Sequence, residues 1–234
     1  MADPWPRGRC SRAAAAVRKK GSLRPVSRPE NAQPGRRLTP RGAATRARIV
    51  AAAVELMYVK GVNATTLDDV RAASNTSKSQ LYNHFPDKEE LVRAVVAART
   101  EQVLERERGY LQRLKSFRGL VRWRDALVQR NALRNGAYGC ALGSLAGELA
   151  DQDDQARATL AESFAEWEGL LAAGLRRMRD SGALKPDADP EKLATGLMAA
   201  LQGGYLLAET AHDIKPMEIA LDMALDHVKS FLTA

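Results

Sequence analysis

The sequence predicts an all-α protein: a short three-helix domain of the helix-turn-helix type, followed by a larger helical domain. Three observations lead there. From Thr45 to the C-terminus apolar residues recur at spacings of three and four, and no stretch alternates in the manner of a strand. Two segments too short to be stable helices alone flank the polar tetrapeptide Ser74-Asn75-Thr76-Ser77. The charge is also uneven: of 234 residues with a net +8, the first 48 hold 13 basic and 2 acidic side chains, leaving 23 against 26 for the rest. A protein cationic over its whole surface is therefore excluded. A basic N-terminal segment on a near-neutral body points instead to a polyanionic partner at that end.

Residues 1–40 carry six of the ten prolines, a dense run of Arg and Lys, and hardly any large apolar side chain. Such a segment cannot bury enough to offset its ordering entropy, so it reads as a disordered, basic, Pro-rich arm. Two roles are open for it: a tail that follows DNA phosphates, or a solvated extension, including one created by an over-long start assignment. The DNA-binding domain is expected over 41–90. Ile49, Ala53, Leu56 and Met57 share one face of a first helix that ends at Lys60, with Gly61 as its left-handed cap. Thr66 with Asp69 forms an approximate capping box for a helix over 67–73. Asn75 tolerates positive φ in the turn, and Ser77 caps a short third helix over 78–85 that Pro86 closes.

The effector-binding and dimerisation domain is expected over 91–234. Asp87 starts its long leading helix, with Glu89 and Glu90 in the first turn and Leu91, Val95, Val103 and Leu104 along it toward Leu114. Further helical patterns cover 120–133, 140–149, 153–180, 190–212 and 217–232, punctuated by Asn135-Gly136, Gly182, Lys185-Pro186 and Lys215-Pro216.

Cys10 and Cys140 lack any disulfide-framework or zinc-ligand spacing, which suits a reducing, cytoplasmic setting. The longest apolar stretch near the start, Ala13 to Val17, is too short for a signal-peptide core, and no run approaches a membrane span. No membrane association and no cofactor are expected. An enzyme would need a nucleophile beside a base, a phosphate-cradling glycine loop or a metal cluster, and none is evident. Glu209, His212, Asp222, Asp226 and His227 could be imagined around a metal, but acids and histidines near helix ends are far more often solvated, so no metal site is assigned. Cys140 reads as a small core residue in preference to a redox sensor.

In the third helix Leu81 and Phe85 are apolar and four apart, so they should face the first helix. Ser79, Gln80, Asn83 and His84 then remain outside, with the donors, acceptors and hydroxyls that read base edges in a major groove. Lys78, Tyr82 and Lys88 are of the kind that anchor phosphates, and free backbone N–H groups at Thr66 and Ser77 would add to them.

The runs Thr65-Thr66-Leu67-Asp68-Asp69-Val70, Ser77-Lys78 and Leu81-Tyr82-Asn83-His84-Phe85-Pro86-Asp87-Lys88-Glu89-Glu90-Leu91 resemble the N-terminal domain of TetR-type transcriptional regulators over about 45–92. Asn75-Thr76 replaces the family's usual Gly-Val, Ser79 a frequent glycine, and Asn83 a histidine. The latter two should alter operator preference and leave the fold alone. The resemblance implies a homodimer whose third helices enter successive major grooves of a double-stranded operator, with Tyr82 and Lys88 on phosphates. The segments 139–149 and 201–208 are similar to those of one TetR subgroup that regulates drug-efflux or oxidoreductase genes.

In the C-terminal domain Trp123, Tyr138, Trp167 and Tyr205 are candidates to line a pocket for a small-molecule effector, with core packing as the alternative for each. The small residues Ala194, Gly196, Ala199, Ala200, Gly203 and Gly204 would let a second helix approach closely, as a dimer interface requires. The expected function is a ligand-responsive DNA-binding regulator, most simply a repressor that an effector releases. The alternative is a helical adaptor without sequence-specific DNA binding.

Overall fold

Thr39 starts the first helix by accepting the Gly42 N–H on its hydroxyl at 3.2 Å, and Pro40 occupies the first turn, where its missing N–H costs nothing. The computed structural model describes residues 39–133 and 135–233. The expected arm lies outside the described residues apart from Thr39 and Pro40, and Cys10 lies outside them too. Helix α1 (Pro40–Lys60) begins five residues ahead of the apolar pattern, because its leading turn is built from small and exposed residues that leave no periodic signal.

Next come α2 (Leu67–Ala73), α3 (Lys78–His84) and α4 (Lys88–Leu111). Five further helices complete the described residues: α5 (Phe117–Ala132), α6 (Ala141–Leu149), α7 (Asp154–Asp180), α8 (Pro190–Ala211) and α9 (Lys215–Lys229). The chain is all-α, as expected. Among the described residues no helix is long and apolar enough to cross a membrane.

Helix α4 ends three residues before the expected Leu114. The Arg177 guanidinium of α7 donates to the carbonyls of Leu111 and Leu114 at 2.9 and 2.8 Å, closing the helix where its own N–H donors run out. Ser116 then caps α5 through the Gly119 N–H, so that helix also begins ahead of its pattern. The last residues turn back onto the α7–α8 connection, where the Lys185 N–H meets the Phe231 carbonyl at 2.8 Å. This pairing ends α9 at Lys229.

Helices α4 and α7 run side by side in the same direction, cross-linked in rising order by Arg93 to Asp153 (3.4 Å), Thr100 to Ser163 (2.9 Å) and Arg108 to Glu166 (2.6 Å). One apolar core passes through the whole unit, from Ile49, Leu81 and Phe85 near the N-terminal end to Leu171, Leu201 and Leu225. The turn after α4 packs closely on α7 because Gly174 presents no side chain to Leu114, which lies directly over it.

Alanine usually stabilises a mid-helix site by about 0.5–1 kcal/mol relative to glycine. At Gly174 the added methyl would collide with Leu114. Gly174→Ala is therefore expected to lower stability by about 1–3 kcal/mol in urea denaturation, and a gain in stability would contradict the packing described.

Candidate functional site

The turn between α2 and α3 is built by local side-chain and backbone bonding. Asn75 takes φ 51°, and the N–H groups of Asn75 and Thr76 return to the carbonyls of Ala72 and Arg71, both at 3.2 Å. This is a Schellman closure with asparagine in the left-handed position. Ser74 and Thr76 are buried, and their hydroxyls bond each other at 2.8 Å. Thr76 has the branched shape of the valine common at this position, and Ser74 satisfies its extra hydroxyl.

Both short helices start with a reciprocal capping box. The Thr66 hydroxyl accepts the Asp69 N–H at 3.1 Å while the Asp69 carboxylate accepts the Thr66 N–H at 3.0 Å. That N–H, with the Thr66 hydroxyl, holds the Asp69 carboxyl below the usual carboxylate range. Ser77 and Gln80 make the same exchange at 3.1 and 2.9 Å. The expectation of free N–H groups at Thr66 and Ser77 is thereby corrected: both are already donated to cap side chains. Gln80 is exposed, but its carbonyl oxygen serves the cap, which leaves its NH2 group outward.

Leu81 and Phe85 are fully buried, and the Arg46 guanidinium of α1 lies 5.0 Å from the centre of the Phe85 ring. The opposite edge of α3 presents Lys78, Ser79, Tyr82 and Asn83 to solvent, with His84 half-buried. Lys78 sits 6.0 Å over the Tyr82 ring. Lys88 is half-buried and reaches the Asn63 carbonyl at 3.3 Å, which ties α4 to the α1–α2 loop.

That loop is also held from the far end of the sequence. The Glu148 carboxylate on α6 accepts the Val62 N–H at 3.0 Å and the Asn63 N–H at 3.1 Å. Gly61, just before, has φ 84° and ψ 161°, which is open to glycine and is not the left-handed helical cap expected. A Cβ at Gly61 would stand 3.1 Å from a Glu148 oxygen, so glycine is favoured for approach as well as conformation.

The other end of α6 forms the wall of a cavity of about 300 Å³, lined there by Gly139, Cys140 and Ala141. Tyr58, Trp167 and Tyr205 supply its aromatic surface, and Arg99, Arg106 and Arg130 its cations. Two of the four residues expected in such a pocket, Trp167 and Tyr205, thus line it. Tyr138 is partly exposed with its ring 5.4 Å from that of Tyr58. Trp123 is not in the wall: it is fully buried behind it and donates Nε1–H to Glu107 at 2.8 Å.

Glu107 is itself buried and accepts further bonds from Arg106 at 3.2 Å and Arg130 at 3.5 Å. The three arginines, Glu107 and Glu148 were not visible as site residues in the sequence. Arg99 and Arg106 are seven apart and so share a face of α4, which is the one available signal. Burial pushes the Cys140 thiol and the Tyr205 phenol up, so both stay protonated near neutral pH.

A Cβ at Gly204 would stand 3.0 Å from the Met217 backbone, so its missing side chain serves packing of α8 on α9 within the chain. Gly196 and Gly203 face open space. The residues weighed for a metal are dispersed: Asp222 bonds Arg124 at 2.8 Å, His227 packs edge-on against Phe231, and His212 caps α8 in a left-handed conformation.

A capped helix-turn-helix with one polar edge exposed, joined to a helical body that encloses a cavity, defines a DNA-binding regulator class. Residues 49–95 match the model for bacterial regulatory proteins of the tetR family, and 111–224 match that for the tetracyclin repressor-like C-terminal domain. The chain belongs to the TetR family of helix-turn-helix transcriptional regulators. It is 27% identical over 187 residues to an HTH-type transcriptional regulator in the lacX 3' region of Lactococcus lactis subsp. lactis, covering 76% of this chain and 90% of that one. It is 24% identical over 191 residues to the HTH-type transcriptional repressor DhaR of Mycobacterium sp. strain GP1, covering 77% and 90%. A TetR transcriptional regulator from Chloroflexus aurantiacus superposes with a TM-score of 0.73 at 25% identity, over 83% of this chain and 98% of that one. Family regulators bind operator DNA as dimers and respond to small molecules, which speaks against an adaptor without DNA affinity.

Trp123 and Trp167 give a paired test of the buried charge. Trp123→Phe strips a donor from a buried carboxylate, whereas Trp167→Phe removes an N–H that has no acceptor. Trp123→Phe is expected to cost about 1.5–3 kcal/mol more than Trp167→Phe in urea denaturation, and equal losses would contradict the bonding described.

Proposed function

We propose that the chain is a repressor that leaves its operator when a small molecule enters the cavity beside α6. The observation that carries this reading is the course of α6. Its first residues wall the cavity, and Glu148 near its last turn holds the α1–α2 loop of the DNA-reading domain. A ligand that displaces α6 therefore acts on the reader through one short, stiff element. The effector needs only to bind the released state more tightly; about 5.5 kcal/mol of preference carries a population from 1:99 to 99:1.

In this reading the base-reading residues are Ser79, Asn83, His84 and the NH2 group of Gln80. Lys78 and Tyr82 meet phosphates, with Lys88 bracing the loop behind them and Thr66 and Ser77 holding the helix starts. The reader is close to neutral, with six basic and six acidic residues over 45–90. Sequence preference then rests on the α3 edge, while the surplus cations of the N-terminal arm add general affinity.

The second copy docks on α8 and α9. Leu206, Leu207, Ile219 and Met223 are large, apolar and more than half exposed there, beside the open Gly196 and Gly203. An apolar face of this kind on paired helices suits a symmetric interface that sets the two α3 helices about 34 Å apart.

Gel shifts on the DNA flanking the gene test the assignment. Tyr82→Ala is expected to weaken binding to all sequences alike, and Asn83→Ala to relax preference at one base position by about 1–3 kcal/mol. Native affinity and preference in both variants would place the reading surface elsewhere.

A further inference from the structure

We infer that the cavity beside α6 takes a planar aromatic molecule bearing an oxyanion, held between Arg106 and Arg130. This deepens the proposed function, since it names the chemical class of the effector, and it rests on that reading for its regulatory meaning.

The arginines on one side of the cavity outnumber the carboxylate bonded to them. Arg106 and Arg130 both line it, and Glu107 is the one carboxylate bonded to them among the described residues. Two guanidinium groups thus share one carboxylate. Each spends a single nitrogen on Glu107: Nε of Arg106 at 3.2 Å and a terminal nitrogen of Arg130 at 3.5 Å. A guanidinium carries five N–H donors in a fork that fits carboxylate or phosphate oxygens, so donors remain on both. Arg99 is different, because Glu55 at 3.3 Å and the Val54 carbonyl at 3.1 Å already engage it.

The other acidic groups in the wall do not give Arg106 and Arg130 a second bonded anion. Burial keeps the Cys140 thiol and the Tyr205 phenol protonated. Glu209 lines a neighbouring cavity and its carboxylate lies against Gly139 of the shared wall, but it bonds neither Arg106 nor Arg130. Arg106 and Arg130, each about one-third exposed, therefore keep guanidinium donors that Glu107 does not engage, and an anionic ligand would meet them.

Trp167 lines the cavity as well and is 1% exposed. Trp167 and Tyr205 give the cavity an aromatic lining against which an aromatic body packs, while Arg99 covers the Tyr58 ring at 4.7 Å. Cationic effectors would be repelled, and neutral ones would leave the arginine donors unmet.

Isothermal titration of the full chain with three probes of one shape tests this: 2-naphthoate, its neutral amide, and the cationic 2-naphthylmethylammonium. The native protein should bind naphthoate at least about tenfold more tightly than the amide and the ammonium least of all, a gap of about 1.4 kcal/mol. Arg106→Gln and Arg130→Gln should each narrow that gap severalfold. The selectivity of the native protein decides the matter even if a variant does not fold. Equal binding of the three probes, preference for the amide or ammonium, or no heat from naphthoate at millimolar concentration overturns the inference. Operator release is assayed separately. Arginine-dependent naphthoate binding that leaves the operator bound would refute the proposed function and spare the inference; release by neutral compounds alone would do the reverse.

Discussion

The Glu148 carboxylate is the joint on which the molecule's arrangement depends. Two N–H groups of the α1–α2 loop point at one side chain, 3.0 and 3.1 Å away, from a helix that begins in the cavity wall. Hydrogen bonds to a charged acceptor are roughly twice as strong as neutral ones, and a bidentate pair fixes direction as well as distance. Gly61 is favoured beside it because its backbone conformation is strained for other residues and a Cβ would press on Glu148 at 3.1 Å. Lys88 holds the same loop from α4. The loop that leads into α2 is thus held by α4 and α6 together, while α2 and α3 pack on α1, and α6 is the shorter of the two holding helices.

Behind the joint, α4 connects the DNA-reading end to the body. It bonds α1 through Arg99 and α7 through Arg93, Thr100 and Arg108, and its end is closed by Arg177. Its inward arginines also form the cationic side of the cavity. The same helix that makes the two parts one core therefore carries the groups that would meet a ligand. Buried Glu107 makes this arrangement possible by accepting from Trp123 on one side and from two arginines on the other. Replacing only one member of such a cluster leaves its partners unsatisfied in a low-dielectric setting.

What could be read from the sequence was local. The capping pairs Thr66/Asp69 and Ser77/Gln80 and the left-handed Asn75 arise from side chains bonding backbone within a few residues, so spacing alone exposes them. The burial of Leu81 and Phe85 followed from helical period in the same way. Helix starts at Pro40 and Phe117 were missed because their caps lie outside the apolar pattern. The Glu148 joint spans 86 positions, and no periodicity announces a contact between distant segments. Arg99 and Arg106 resemble a solvated helix face until the tertiary structure turns that face inward. Trp123 and Trp167 look alike in sequence, and only packing makes one a support for Glu107 and the other a wall.

Glu148→Gln tests most directly whether α6 holds the reader in place through Glu148. Glutamine keeps the length of the side chain but replaces one acceptor oxygen with a donor, which opposes a loop N–H. Affinity should be measured for a full operator and for an isolated half-site. Full-site affinity should fall by about tenfold or more, about 1.4 kcal/mol, with half-site affinity unchanged, because the pose is lost and the reading edge is not. Unchanged full-site affinity, or equal losses on both, would contradict a coupling through Glu148.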